Sequence, residues 1–213
     1  TAQRISVDYQ MLDRFAGQQL SQWLAMDGSL PWLPLQGLES AERYFWLQHY
    51  LRLHSVSLTQ AQLENLDQML QAPPDKQPEM LTAKGRLMRF HQRLYVLPSD
   101  CPAQLGGIDS GVSLVRPFDV LTVHGKGLLT LQARPSGAEL LLPNGQHRKL
   151  KKWFNDHKIP PWWREHLPYL YRDDALVAIG NLWQAPQHTD IQIQWQPNGQ
   201  LPWPSGLLES KQG

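Results

Sequence analysis

The feature that most constrains this chain is a change in the spacing of its apolar residues near position 73. Before it they recur every three or four positions, and after it they alternate or come in short runs. A spacing near 3.6 buries one side of a helix, and a spacing of two buries one face of a strand. Tyr9, Leu12, Phe15, Ala16, Leu20, Trp23 and Leu24 predict an amphipathic helix over 8–25, which Gly28, Pro31 and Pro34 then break. Tyr44, Leu47, Tyr50, Leu51 and His54 predict a second helix over 40–54. A third starts at Thr59, where Gln62 completes a capping box. Its Leu63, Leu66, Met69 and Leu70 face one way, and Pro73-Pro74 ends it.

Beyond the change, residues 86–91 and 94–98 read as a hairpin whose first strand is basic on its exposed positions. Pro98, Pro102, Gly106, Gly107 and Gly111 mark a linker. Short strands follow over 120–123, 128–132 and 140–142, then a turn at Pro143-Asn144-Gly145 and a helix over 147–157. Pro160-Pro161 breaks that helix and opens a short second one. Residues 169–171 and 175–179 form a second hairpin around 172–174, and 191–195 form a last strand. The remainder, polar and rich in Pro and Gly, reads as a frayed tail. The predicted class is α+β: an N-terminal helical domain with a β-hairpin, then a small mixed α/β C-terminal domain of short strands around one or two helices. The domains are 1–98, a linker over 99–119, a second domain over 120–196, and a tail over 197–213.

Apolar residues make up 41% of 213, enough for a real core. Their longest runs are only a few residues, too short to span a bilayer. The chain opens at Thr1 without an initiator Met, which reads as a fragment or a processed chain, and no signal pattern follows. The single Cys101 makes no internal disulfide, in keeping with a reducing, cytoplasmic setting.

The formal charge is only +1, but its distribution is uneven. Residues 83–95 carry Lys84, Arg86, Arg89 and Arg93 with no acid. Residues 147–166 carry Arg148, Lys149, Lys151, Lys152, Lys158 and Arg164 against Asp156 and Glu165. Two local basic patches on a near-neutral chain suggest localised contact with a polyanion, although such runs are also common on plain solvated faces. On a helix over 147–157, Arg148, Lys149, Lys151 and Lys152 fall on one half of the wheel, opposite Leu150, Trp153 and Phe154. One side buries and the other offers four cations to a phosphate backbone. Trp162 and Trp163, beside Arg164, are suited to stacking on exposed bases. With nine tryptophans in the chain, most must belong to a core or a domain interface.

Residues 147–183, HRKLKKWFNDHKIPPWWREHLPYLYRDDALVAIGNLW, carry a resemblance. Leu150-Lys151-Lys152-Trp153-Phe154, then Ile159-Pro160-Pro161-Trp162, Arg164-Glu165-His166-Leu167-Pro168 and Leu176-Val177-Ala178-Ile179 resemble the terminal domain of bacterial tRNA(Ile)-lysidine synthases. That domain reads as a lysine-rich helix, Val-Pro-Pro-Trp, Arg-x-x-Leu-Pro and Glu-Leu-Val-Ala-Val. The helical first half, with Leu94-Tyr95-Val96-Leu97-Pro98 closing its hairpin, is similar to the family's middle, substrate-recognition domain. Residues beyond about 196 stay unmatched.

The resemblance implies a role. Such enzymes use ATP to adenylate the wobble cytidine of the isoleucine tRNA with a CAU anticodon, and lysine then displaces AMP. The chemistry belongs to an N-terminal ATP-pyrophosphatase domain with a Ser-Gly-Gly-x-Asp-Ser loop. The later domains dock the tRNA and help exclude the methionine tRNA. The partners expected for this chain are therefore that tRNA and its own catalytic domain. The expected tRNA-binding residues are Arg86, Arg89, Arg93, Arg148, Lys149, Lys151, Lys152, Lys158, Trp162, Trp163 and Arg164.

Leu105-Gly106-Gly107-Ile108-Asp109-Ser110 matches that loop except at its first position. A phosphate loop needs a buried strand before it and a helix after it, and the flanking residues read as neither. No catalytic or metal-ligating residue is therefore assigned. ATP and Mg are expected only with the catalytic domain, and the chain alone is expected to be inactive. The alternative role is structural: a domain that braces the catalytic domain or forms a homodimer, its tryptophans making a protein interface. A third reading, an independent enzyme with an unrecognised site, would need ATP turnover by the chain alone.

Overall fold

The computed structural model describes residues 2–73, 76–99 and 101–204, with the side chains of the first helix described from Gln10 onward. It is mixed α and β, with six helices and several small antiparallel sheets among the described residues. Two compact units divide the chain, Thr1–Asp100 and Cys101–Gly213. No helix among the described residues is long and apolar enough to cross a membrane.

In the first unit, α1 (Ala2–Trp23) leads into β1 (Leu30–Pro31) and α2 (Leu33–Gln36). Then come α3 (Ser40–Leu53) and α4 (Gln60–Leu70), followed by β2 (Glu79–Thr82), β3 (Gly85–Phe90) and β4 (Arg93–Leu97). The strands form one antiparallel sheet in the order β1-β4-β3-β2. Its inward residues Leu87 and Leu94 join Leu20, Leu47, Tyr50, Leu63 and Leu66 from the helices in one core. The capping box holds the start of α4: the Gln62 amide donates to Thr59 Oγ1 at 3.3 Å, and the Thr59 amide to Gln62 Oε1 at 2.9 Å. The β3–β4 turn is His91-Gln92, both at positive φ (45° and 60°), the left-handed pair that a two-residue hairpin turn requires.

Two expectations for this unit change. On α1, Leu12 and Phe15 are exposed, and Ala16 and Leu20 carry the burial. The apolar spacing therefore runs further along the helix than the unit's own core does. The side chain of Tyr9, and Pro74 at the predicted end of α4, lie outside the described residues. Finally, β3 is not basic on an exposed face, because Arg86 is half-buried and Arg89 is buried.

The second unit opens with β5 (Gly106–Ile108) and β6 (Ser113–Val115), which stand within the segment read as a linker. They are followed by β7 (Asp119–His124), β8 (Leu129–Gln132), β9 (Glu139–Leu141), β10 (His147–Lys149), α5 (Leu150–Asp156) and α6 (Pro161–Arg164). The unit ends with β11 (Tyr169–Arg172), β12 (Ala175–Ile179), β13 (Trp183–Gln184) and β14 (Gln192–Pro197). A five-stranded sheet runs β13-β12-β11-β8-β5, a three-stranded one β14-β7-β6, and β9 pairs with β10. Asp173 and Asp174, at φ 49° and 63°, make the β11–β12 turn, as the sequence pattern suggests.

The tail is packed as far as it is described. Leu201 is buried, and the Pro202 carbonyl accepts from the indole nitrogens of Trp162 (2.8 Å) and Trp163 (2.9 Å). The Trp203 ring lies 5.3 Å from those of Trp163 and Trp195. The polar composition concealed this packing, to which Leu201 and Trp203 contribute. Residues 205–213 lie outside the described part.

Gly85 tests the hairpin geometry. It sits at φ +138°, and an added Cβ would lie 2.1 Å from the Leu97 carbonyl oxygen. Gly85→Ala is expected to lower unfolding stability by about 1–3 kcal/mol, the usual cost of strained backbone. Urea denaturation of the two proteins checks this.

Candidate nucleic-acid interface

The basic block of the second unit begins on a strand. β10 pairs antiparallel with β9, and the Leu150 amide donates to the Ala138 carbonyl at 2.9 Å. The helix therefore starts at Leu150, three residues later than the sequence pattern predicts, and Arg148 and Lys149 are strand residues. On α5 the spacing Leu150, Trp153, Phe154 buries one side and leaves Lys151, Lys152 and Asn155 on the other. Lys158 follows the helix at φ +53°, the left-handed position that commonly ends a helix. The Ile159 amide closes the turn onto the Phe154 carbonyl at 2.8 Å.

Lys149, Lys151, Lys152 and Lys158 are all exposed. Among the described residues no carboxylate forms an ion pair with any of them. Arg148 differs: its Nε donates to Asp156 Oδ2 at 2.7 Å, and its Nη2 bonds the same oxygen. Arg164 is half-buried, donating from Nε to the Ile159 carbonyl and from Nη2 to Asn155 Oδ1, each at 3.0 Å. Burial lowers its pKa, and the nearby Arg134 charge lowers it further. Arg134 lies in the loop after β8, with its Cζ 5.2 Å from the Phe154 ring centroid. The basic block gives no sign of it, because it lies well outside that block along the chain.

Trp162 and Trp163 are 3% and 0% exposed. Their indole N–H groups are held by the Pro202 carbonyl, and Trp163 packs edge-on against Trp195 at 5.6 Å. Neither ring presents a stacking face in this structure, so they are core residues, as the abundance of tryptophan suggests.

The three arginines expected to bind RNA in the first unit, Arg86, Arg89 and Arg93, are also engaged within the fold. Arg89 is 3% exposed, and its guanidinium donates to the carbonyls of Leu70 at 2.6 Å, Pro73 at 2.5 Å and Lys76 at 3.4 Å. It thereby closes the C-terminal end of α4, whose last carbonyls have no helical donor. Arg93 donates to Ser29 Oγ (2.6 Å) and to the Ser29 carbonyl (2.7 Å). Arg86 lies 3.7 Å from Glu79 across β2 and β3. Of the first basic patch only Lys84 stays exposed among the described residues, so the cluster of exposed cations the sequence suggested there is not found, whereas the one around α5 is.

The near-match to a phosphate loop is resolved in the same way. Its glycines lie in β5 against β8, and the chain turns into β6 rather than into a helix. These residues do not fit a nucleotide phosphate. No group of three His, Cys, Asp or Glu side chains among the described residues is placed to hold a metal.

Two family models match the chain. The TilS substrate binding domain matches residues 30–95, and the TilS substrate C-terminal domain matches residues 129–203, which include the whole of α5 and α6. The tRNA(Ile)-lysidine synthase of Serratia proteamaculans is 27% identical over 91% of this chain and 47% of its own length. That of Pseudomonas putida is 30% identical over 82% of the chain and 42% of its own length. That of Pectobacterium atrosepticum is 26% identical over 79% and 42%. The chain therefore spans about half the length, or less, of these relatives.

The contrast between the two kinds of basic residue is measurable. Arg89→Met takes the guanidinium donor from the buried Leu70 carbonyl and the part-buried Pro73 carbonyl and is expected to cost about 2–4 kcal/mol of stability. Lys152→Ser is expected to stay within about 0.5 kcal/mol of the parent. Chemical denaturation of both variants checks the assignment of Arg89 to the fold and Lys152 to the surface.

Proposed function

The chain belongs to the tRNA(Ile)-lysidine synthase family, and from that premise we propose that it docks the isoleucine tRNA with a CAU anticodon for a separate N-terminal catalytic domain. That domain would supply the ATP- and Mg-dependent ligation of lysine to the wobble cytidine. This chain holds no phosphate loop among its described residues and on this reading turns over no ATP alone. A tRNA substrate also places it in the cytoplasm. The observation that carries the reading is the set of four exposed lysines on and beside α5, none paired with a carboxylate among the described residues: Lys149, Lys151, Lys152 and Lys158.

Each cation that neutralises an RNA phosphate releases counterions, so affinity falls steeply with salt. An unpaired lysine gives this gain in full, whereas a paired one must first leave its carboxylate. The buried Leu150, Trp153 and Phe154 fix α5 to the unit, so the lysine side is presented by a rigid element rather than a mobile loop.

A second reading is structural, with these domains bracing the catalytic domain or pairing as a homodimer. The exposed Met11, Leu12 and Phe15 of α1 favour it, since apolar side chains gathered on one helix commonly meet a protein.

Titration against the CAU-anticodon isoleucine tRNA and the elongator methionine tRNA at several salt concentrations separates the two. Docking predicts preference for the isoleucine tRNA and a steep salt dependence. Lys151→Glu with Lys152→Glu is expected to weaken binding at least tenfold and to lower the salt slope by about two, one for each lysine that no longer neutralises a phosphate. Salt-insensitive self-association with no tRNA binding at low salt would favour bracing.

A further inference from the structure

Arg134 and Arg164 share one aromatic support. Their Cζ atoms lie 5.2 and 5.4 Å from the centroid of the fully buried Phe154 ring, within range of its π-face. Arg134 alone of the two meets a carboxylate among the described residues: its Nη1 donates to Glu165 Oε1 at 2.5 Å. The Glu165 side chain is 64% exposed, so it can swing aside at little cost, while the Arg134 side chain is 29% exposed. The remaining bonds of Arg164, to the Ile159 carbonyl and Asn155 Oδ1, orient its guanidinium without neutralising it. No hydrogen-bond partner among the described residues meets Arg134 Nε, Arg134 Nη2 or Arg164 Nη1. Both side chains are partly exposed. The Arg134 charge disfavours protonated Arg164, so the two cations repel in the free protein.

The pair is continuous with the lysine surface. Asn155, which holds Arg164, lies four residues beyond Lys151 and three beyond Lys152 on α5, so the three side chains are neighbours on the helix surface. We infer that Arg134 and Arg164 form a paired-guanidinium site for backbone phosphate of the docked RNA, with Glu165 occupying Arg134 until RNA displaces it. This rests on the docking reading above and extends it to a residue, Arg134, outside the basic block. Guanidinium suits the task because its planar fork can give two parallel donors to one phosphate. A phosphate there replaces an exposed carboxylate as the counter-charge and relieves the repulsion between the two cations.

The site predicts opposite effects from the two ends of one ion pair. Arg134→Gln is expected to weaken binding of the isoleucine tRNA transcript several-fold and to lower the salt slope by about one. Glu165→Gln is expected to strengthen binding, because Arg134 is then released without competition. A purely structural ion pair would respond the same way from either side, with binding and slope unchanged or both variants weakened together. That result would overturn the inference. Lys151→Glu with Lys152→Glu, measured alongside, keeps the two claims apart. If that variant loses binding while Arg134→Gln keeps its slope, docking stands and the paired site falls. If the parent chain binds no tRNA at low salt, the docking reading falls and takes the paired site with it. Circular dichroism of each variant checks that it folds.

Discussion

A helix of seven residues does not hold itself together in water, because the cost of its first turn is not recovered over so short a length. The α5 helix exists because Leu150, Trp153 and Phe154 are buried on one side of it. The candidate site depends on that burial. It sets which side of the helix faces solvent, and so decides that Lys151, Lys152 and Asn155 lie outward. It also places the Phe154 ring under Arg134 and Arg164. Apolar packing within the unit thus fixes the positions of cations that do not themselves take part in it.

The same constraint reaches the following turn. Pro160 and Pro161 cannot continue α5, and Trp162 and Trp163 anchor α6 through their indole N–H bonds to Pro202. Pro202 lies in a segment without regular structure, yet its carbonyl satisfies two buried donors, which apolar surroundings would otherwise make costly. With both ends of the turn fixed, Arg164 has a defined direction back toward Asn155 and the Ile159 carbonyl. The final described residues therefore bear on the site without contributing a charge to it.

Much of the fold was legible because it rests on local rules. The capping box of Thr59 and Gln62, the hairpins and the positions of α3, α4 and α6 follow from spacing and turn chemistry over a few residues. What was not legible depends on partners far away in sequence. Leu12 and Phe15 fit a helical stripe, but whether a stripe is covered depends on what packs there. Two strands formed in a glycine-bearing segment because β8 and β7 were available to pair with them. Arg148 and Lys149 looked helical because the wheel suits them, yet β9 offered a ladder that held them extended.

The two basic patches show why charge in a sequence overstates charge at a surface. Counted along the chain, Arg86, Arg89 and Arg93 resemble the later cluster. In the folded unit Arg89 and Arg93 serve carbonyls and a hydroxyl, and Arg86 lies near Glu79. The later block keeps its unpaired charge on lysines, while its arginines are held by Asp156 and Asn155. The division follows from side-chain chemistry: a rigid fork of five donors can satisfy several fixed carbonyls at once, whereas a strongly hydrated ammonium on a flexible stem stays in water. Residue type is thus a better guide than charge density to which cations remain open to a polyanion. Arg134 and Arg164 depart from that division. Each is oriented by the fold yet stays partly exposed with a donor unbonded among the described residues, so they join the positional order of the arginines to the available charge of the lysines.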